Sequence, residues 1–260
     1  RAFCFLPLPV ETGLPVHLNG QFILDNSRRN LWKDDGVQGP RAQWNNFIKN
    51  NVLAPAYAEL IVSARTCIPG ISKGDPWYFN DITEAKNGLK WYHSIFPDSD
   101  GVHSEWKSIV LTVYRLLASS NQPVLPILRD QPSPRPPMTS PRTFSRFGTK
   151  PLFPCLWVPP CSDREEQQAL FSDLSNSELE TLLLKIGVPI VYAPPRLYTS
   201  FKQAAAMVKT VSPEDVMAII SKHRDSTDVL PCSINGTTFK QASELKLLIE
   251  YCMGDDNFLQ

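Results

Sequence analysis

Two adjacent arginines, Arg28 and Arg29, are the residues of this sequence whose types and spacing best suit polar chemistry. Arginine carries a planar fork of N–H donors that matches the oxygens of a phosphate group. The preceding Asp25-Asn26-Ser27 supplies capping side chains and predicts a short helical turn over residues 28–32. Trp32 would anchor that turn and leave one guanidinium outward. The alternative is a solvated pair of cations at a helix start.

A second motif, Gly70-Ile71-Ser72-Lys73-Gly74, matches the G-x-S-x-G pattern of a nucleophile elbow. An elbow exposes its serine hydroxyl on a sharp turn between a strand and a helix that follows at once. Here a helical pattern precedes the motif and Asp75-Pro76 follows it. The sequence therefore argues against a hydrolase centred on Ser72, which we keep as the enzymatic alternative.

Cofactor and metal motifs are missing from the sequence. There is no G-x-G-x-x-G or Walker-type loop to hold phosphates. No C-x-x-C pair occurs among the six cysteines, and the four histidines lie far apart in the chain: His17, His93, His103 and His223. We therefore expect no metal, no cofactor and no nucleotide binding by this chain alone.

Composition and charge describe an ordinary globular protein. The hydrophobic fraction is 42%, and 26 basic residues balance 26 acidic ones, whereas nucleic-acid binders usually carry a basic excess. Scattered cysteines favour a reducing compartment, and no apolar run is long enough to span a bilayer. These features predict a cytosolic protein that inserts in no membrane and binds no nucleic acid.

The first half of the chain predicts a hairpin followed by helices. Asn19-Gly20 lies between apolar residues and predicts a β-hairpin over residues 14–24. Apolar spacing predicts a helix over 40–65, interrupted at Pro55, with an inward face that includes Trp44 and Phe47. Further helices are predicted over 85–95 and 104–118, and a strand over 124–128.

The middle of the chain predicts an extended connector. Residues 131–141 read QPSPRPPMTSP, a composition that removes backbone donors and fixes φ. The P-x-x-P from Pro134 to Pro137 lacks the flanking basic residue that SH3 ligands carry, which favours a loop. We predict an α+β subdomain over 1–130, a Pro-rich connector over 131–150 and a second α/β subdomain over 151–260.

The second half predicts short strands alternating with capped helices. Strands are expected over 152–158 and 188–192, and a helix over 176–186 that ends at Gly187. Ser212 and Pro213 open another helix, and a last one runs over 239–253 with Leu245, Leu248, Ile249 and Cys252 inward. The fold class is therefore α+β, helix-rich with short strands and hairpins, in two packed halves.

Several stretches of the chain resemble the repeat region of the sacsin family of giant proteins. The most specific stretches are FCFLPLPVETGLPVHLNGQF, NSRRNLW and WNNFIKNNVLAPAYAEL in the first half. Two later stretches, PEDVMAIISKH and ELKLLIEYC, resemble the downstream part of the same repeat. The likeness covers most of the chain and is weaker after the Pro-rich connector.

The resemblance implies a place within a larger repeat. Each such repeat begins with an ATPase-like module of the heat-shock-ninety type, and this chain resembles the region after it. Residues 3–6 would then be the seam between the two. In heat-shock-ninety chaperones a middle-domain arginine reaches the terminal phosphate of the neighbouring nucleotide, a role that Arg28 or Arg29 would match. No glutamine follows at the helical spacing of that family, because Trp32 and Lys33 occupy those positions.

We therefore predict a non-catalytic middle segment of a repeat in a giant co-chaperone or scaffold protein. Its expected partners are adjacent repeat modules of the same chain, together with chaperone machinery or client proteins. The alternatives are a hydrolase-type enzyme with an unrecognised site and a plain protein–protein interaction module.

Overall fold

A computed structural model gives the fold and describes most of the chain. The described residues are 1–9, 11–33, 39–72, 77–128, 153–161, 169–172, 174, 176–204, 206–224, 233–234, 237–238 and 242–254. The predicted Pro-rich connector, 131–150, lies outside them.

The described residues form an α+β fold, as the sequence predicts. Its α-helices are α1 (Pro40–Phe47), α2 (Ala54–Ala64), α3 (Ile82–Ser94), α4 (Lys107–Ser119), α5 (Ser177–Lys185), α6 (Pro195–Gln203), α7 (Pro213–Arg224) and α8 (Ala242–Met253). Its strands are β1 (Ala2–Cys4), β2 (Leu6–Pro7), β3 (Leu18–Asn19), β4 (Ile71–Ser72), β5 (Trp77–Phe79), β6 (Leu125–Leu128), β7 (Phe153–Val158), β8 (Leu170–Phe171), β9 (Lys209–Thr210), β10 (Ser233–Ile234) and β11 (Thr237–Thr238).

The largest described sheet takes strands from both sides of the predicted connector. Its order is β4-β5-β7-β6, and all its pairs are antiparallel. Cys155 at the centre of β7 pairs with Trp77 on one side and with Leu128 on the other. The division into subdomains at 130 and 151 stays a prediction, and any boundary must leave β7 with the earlier strands.

The helical segment from α1 to α2 passes Pro55 without breaking. A π-helix, Ile48–Leu53, joins the two α-helices, and the N–H of Ala54 bonds to the carbonyl of Lys49, five residues back. Proline removes one helical donor and crowds the carbonyl four residues earlier, which the wider π turn relieves. The interruption predicted at Pro55 is thus a change of helical register.

The first hydrophobic cluster, built mainly on α2, α3, α4 and the four-stranded sheet, is rich in aromatic side chains. Its largest fully buried members are Trp106, Tyr92, Tyr114, Phe79, Phe96 and Phe201. The helix predicted over 104–118 is present as α4, and it buries Ile109, Val113 and Leu117. Three buried tyrosines, Tyr57, Tyr92 and Tyr114, donate their hydroxyls to the main-chain carbonyls of Ile95, Val124 and Pro97. Each therefore keeps a polar partner inside the core.

The second hydrophobic cluster, formed mainly by α5, α7 and α8, is aliphatic. Its helices carry the predicted caps. Gly187 follows α5 at φ +95°, and the N–H of Val188 bonds to the carbonyl of Leu183, which is a Schellman motif. Ser212 and Asp215 form a reciprocal capping box at the start of α7.

The predictions of a hairpin at Asn19-Gly20, of a strand over 188–192 and of the inward face of α8 are wrong. Asn19-Gly20 closes no hairpin, because β3 pairs in parallel with β1 and Gly20 has no positive φ. Residues 188–192 form only a single bridge, from Ile190 to Leu170. On α8 the side chains of Leu248 and Cys252 are buried in the second cluster, as predicted. Those of Leu245 and Ile249, which were also expected inward, are exposed.

Among the helices of the described ranges, none has both the length and the apolar content that crossing a bilayer requires.

Candidate functional site

Arg28 and Arg29 lie at the tip of a short hairpin, which we call the arginine hairpin (residues 23–32). Its two sides meet at an antiparallel bridge between Leu24 and Leu31. Two main-chain bonds flank the bridge, from Asp25 N to Asn30 O at 2.9 Å and from Trp32 N to Ile23 O at 2.8 Å. The predicted helical turn at this position is therefore wrong, and a hairpin loop takes its place.

The carboxylate of Asp25 organises the loop from inside. It accepts the hydroxyl of Ser27 at 2.7 Å, the main-chain N–H of Arg29 at 3.1 Å and the side-chain amide of Asn30 at 3.2 Å. The hydrogen bond from Ser27, with further ones from Asn30 and Arg29, lowers the pKa of Asp25 to about 2. Loop donors thus turn inward to this carboxylate, which stays charged at neutral pH.

The backbone of Arg28 lies in the left-handed region, at φ +56°. A residue with a Cβ adopts this conformation at a cost of about 1–2 kcal/mol. The main-chain N–H of Arg28 bonds to the carbonyl of Asp25 at 2.9 Å, and the bonds to the Asp25 carboxylate help to offset the strain. The loop is therefore held in one unusual conformation by its own side chains.

Both arginine side chains are exposed at the loop tip. Within the described ranges, no ion pair and no side-chain hydrogen bond involves either guanidinium group. Exposed cations on an ordered loop are available to an anion that approaches from outside. Chemically, the pair can bind the oxygens of a phosphate or a carboxylate.

The helix α1 holds the base of the arginine hairpin. Asn45 exchanges two hydrogen bonds with the main chain of Ile23, each of 2.8 Å, and lies 3.5 Å from the carbonyl oxygen of Trp32. The guanidinium of Arg41 lies over the ring of Trp32, 4.4 Å from its centroid. Trp44 adds a bond from its indole N–H to the carbonyl of Gln21. One helix thus contacts both sides of the hairpin.

The orientation of α1 differs from the predicted one. Trp44 and Phe47, expected inward, are 42% and 50% exposed and stack on each other, whereas Asn45 is buried. Sequence reasoning missed Asn45 because a polar residue beside aromatic ones suggests a solvent-facing position. It noticed Asp25 only as a helix cap, although a D-x-S spacing also suits a side chain that closes a loop.

Charged residues continue from the end of the arginine hairpin into the core. Lys33 forms an ion pair with the carboxylate of Glu105, and the ammonium of Lys49 donates to the carbonyl of Glu105 at 3.2 Å. Lys49 lies in the π-helix and is almost fully buried, and this burial lowers its pKa. These contacts tie the chain after the hairpin to the first hydrophobic cluster.

The G-x-S-x-G motif does not form a nucleophile elbow. Ser72 ends β4, which pairs antiparallel with β5, and β5 is the next described element. A helical segment ending at Cys67 precedes β4. The strand-to-helix turn that would expose a serine nucleophile is therefore not the arrangement at Ser72.

A polar groove lies between α5 and α8, with a volume of about 510 Å³. Lys185 and Glu244 bridge it through an ion pair of 2.9 Å. Its other charged lining residues are Glu178, Lys246 and Glu250. The groove lining carries three carboxylates and two ammonium groups, so its opposite charges leave one negative charge, and it contains neither histidine nor cysteine.

Fold and hairpin together define an α+β module that presents two arginines on an ordered loop. Comparison with curated proteins then finds a relative, human sacsin, with 32% identity over 287 aligned residues. The alignment covers 98% of this chain and 6% of sacsin. The chain is therefore related to one segment of sacsin, and the resemblance predicted from its sequence is confirmed.

Two other comparisons give no match. No protein-family model matches the chain, and no solved structure does.

Proposed function

We propose that this chain is a non-catalytic segment of a sacsin-type repeat, working in the cytoplasm within a giant co-chaperone or scaffold protein. In this proposal Arg28 or Arg29 reaches a phosphate group of nucleotide bound by an adjacent ATPase-like module of the same protein. Adjacent modules and chaperone machinery or client proteins are its partners. The relation to one segment of sacsin supports the context of the proposal.

The ordered loop with two exposed arginines is the observation that carries the proposal. Phosphoryl transfer depends on positioned positive charge, and an arginine supplied by a neighbouring module can raise kcat by about 10³-fold or more. Such a residue has to be fixed before the phosphate arrives, because reorganisation would reduce its effect. The bonds of Asp25 and Asn45 give this loop that order.

The test is an ATPase measurement on a protein that joins the upstream module to this chain. We expect Arg28→Ala or Arg29→Ala to lower kcat by about 10²-fold or more, with thermal unfolding unchanged. Lys90→Ala, which removes an exposed cation on α3, is the control and should retain full activity. Equal hydrolysis by the parent protein and both arginine variants would show that the arginines do not act on the nucleotide.

A plain protein–protein interaction module is the second candidate, and exposed apolar side chains favour it. Phe5, which lies between β1 and β2, and Leu6, the first residue of β2, are 83% and 75% exposed. Paired exposed apolar residues on a turn are typical of contact surfaces. The double variant Phe5→Ser, Leu6→Ser tests this second function. It is the better account if that variant binds the upstream module more weakly while Arg28→Ala and Arg29→Ala leave ATPase activity unchanged.

A further inference from the structure

We infer that Asn45 is the positioning residue of the arginine hairpin: it fixes the loop that carries Arg28 and Arg29 relative to the core. The structural role of Asn45 is inferred from the geometry of α1 and the hairpin. Its effect on catalysis rests in addition on the proposed function.

The hairpin needs an external support because its own ladder is short. Leu24 and Leu31 form a single bridge, with one main-chain bond on either side. A two-stranded ribbon of this size is marginal in water without packing against another element. The position of its tip therefore depends on what holds its base.

Asn45 contacts the base of the hairpin on both of its sides. Its Oδ1 accepts the N–H of Ile23 at 2.8 Å, and its Nδ2 donates to the carbonyl of Ile23 at 2.8 Å. The same Nδ2 lies 3.5 Å from the carbonyl oxygen of Trp32, the residue directly across the hairpin from Ile23. The side-chain amide thus forms the pair of hydrogen bonds with Ile23 that the main chain of a neighbouring strand would form.

Burial makes this contact hard to replace. Asn45 is 2% exposed, so water does not compete for its amide or for the groups of Ile23 that it satisfies. Removing the amide leaves the part-buried N–H of Ile23 without this partner, while the carbonyl of Ile23 keeps the bond from Trp32 N–H. Loss of a partner at a part-buried N–H costs more than the loss of a fully exposed hydrogen bond. The neighbouring Ile48, also buried, fixes the same helical segment in the first hydrophobic cluster.

The consequence concerns the placement of the guanidinium groups. Displacement of a positioning group by about 1 Å can reduce a reaction rate by about 10²-fold. Asn45 is therefore expected to affect catalysis without contacting the nucleotide. The hydrogen bonds to the hairpin described above come from Asn45 and not from its neighbour Asn46, so a substitution at Asn46 should leave catalysis unchanged.

The structural part is tested by amide hydrogen exchange on the 260-residue chain. In the unaltered protein the amides of Ile23 and Arg29 should be protected. Asn45→Ala should reduce their protection by at least about tenfold while α4 keeps its own, and Asn46→Ala should change neither. Asn45→Leu, which has a similar shape and no hydrogen-bonding groups, replaces the alanine variant if that one does not fold, and it should give the same loss of protection. Free exchange of both amides in the unaltered protein would overturn the inference.

The catalytic part is tested on the protein that includes the upstream module. Asn45→Ala should lower kcat at unchanged KM, and combining it with Arg28→Ala or Arg29→Ala should lower kcat less than the product of the separate effects. If an arginine variant is impaired and Asn45→Ala is not, the inference fails and the proposed function stands. If neither arginine matters, the proposed function fails, and the exchange experiment alone decides the role of Asn45 in the loop.

Discussion

The two hydrophobic clusters of the described residues differ in the side chains that build them. The first is filled by large aromatic rings, whose tyrosine hydroxyls bond to main-chain carbonyls. The second contains mainly leucine, isoleucine and valine, and its helices begin and end at well-formed caps. The first therefore depends on shape and on the partners of its tyrosine hydroxyls, and the second on aliphatic packing and local backbone geometry.

The largest expected difference in stability between the two clusters comes from removing an aromatic ring from the first. Trp106 is fully buried and lies edge-on to Phe22, with ring centroids 5.7 Å apart. We expect Trp106→Ala to lower the free energy of unfolding by about 4 kcal/mol, because the loss of a fully buried ring leaves a cavity that the surrounding side chains fill only in part. Urea unfolding followed by near-ultraviolet circular dichroism measures this. A loss below about 1 kcal/mol would contradict the importance assigned to the ring.

An equivalent deletion in the second cluster should cost somewhat less. Leu183 is fully buried on α5, among aliphatic side chains that can relax toward the space it leaves. We expect Leu183→Ala to reduce the free energy of unfolding by about 3 kcal/mol. Thr181→Ala, at an exposed position of the same helix, is the control. Because alanine favours helix more than leucine or threonine does, an equal loss in both variants would contradict the assignment of the Leu183 effect to packing.

Acid should destabilise the first cluster through His93. Burial, and secondarily the charge of Arg196, lower the pKa of His93 to about 4. In the unfolded chain His93 has its ordinary pKa of about 6.5, so between about pH 6.5 and 4 it binds a proton that His93 of the folded protein does not bind. The free energy of unfolding therefore falls as the pH drops through this range. We expect a loss of about 2 to 3 kcal/mol over this range.

The measurement is urea unfolding at several pH values with His93→Phe. This variant should lose most of that pH dependence, since no titrating group remains at the site. His103→Gln, which changes an exposed ring, is the control and should unfold as the parent does at every pH.

The smallest expected effect concerns the cap that ends α5. Gly187 adopts φ +95°, where a Cβ is strained, so Gly187→Ala should lower the free energy of unfolding by about 1 kcal/mol. Gly101→Ala is a matched control, because a Cβ there meets nothing within 4 Å and the backbone has no positive φ. Thermal unfolding of both variants tests the difference, and equal melting temperatures would rule out the strain at Gly187.

Helix existence and caps were largely accessible from the sequence. Asn176, Gly187 and Ser212 act within a few residues of their own positions, so their chemistry is visible in a short window. Arg28 and Arg29 were singled out from their residue type, although the helical turn predicted around them is wrong, and their role stays a prediction. The face that a helix turns inward was less accessible. Trp44 lies outward and Asn45 inward because the hairpin packs there.

The sequence by itself determined the helix-rich α+β class, the helix ends, the relation to sacsin and the two candidate arginines. Only the tertiary structure decided that β7 joins the earlier strands, that β3 pairs with β1, and that Asn45 holds the arginine hairpin. The physical reason is distance along the chain. Caps depend on hydrogen bonds between neighbouring residues, whereas strand pairing and buried amides select partners that become adjacent only when the chain is folded.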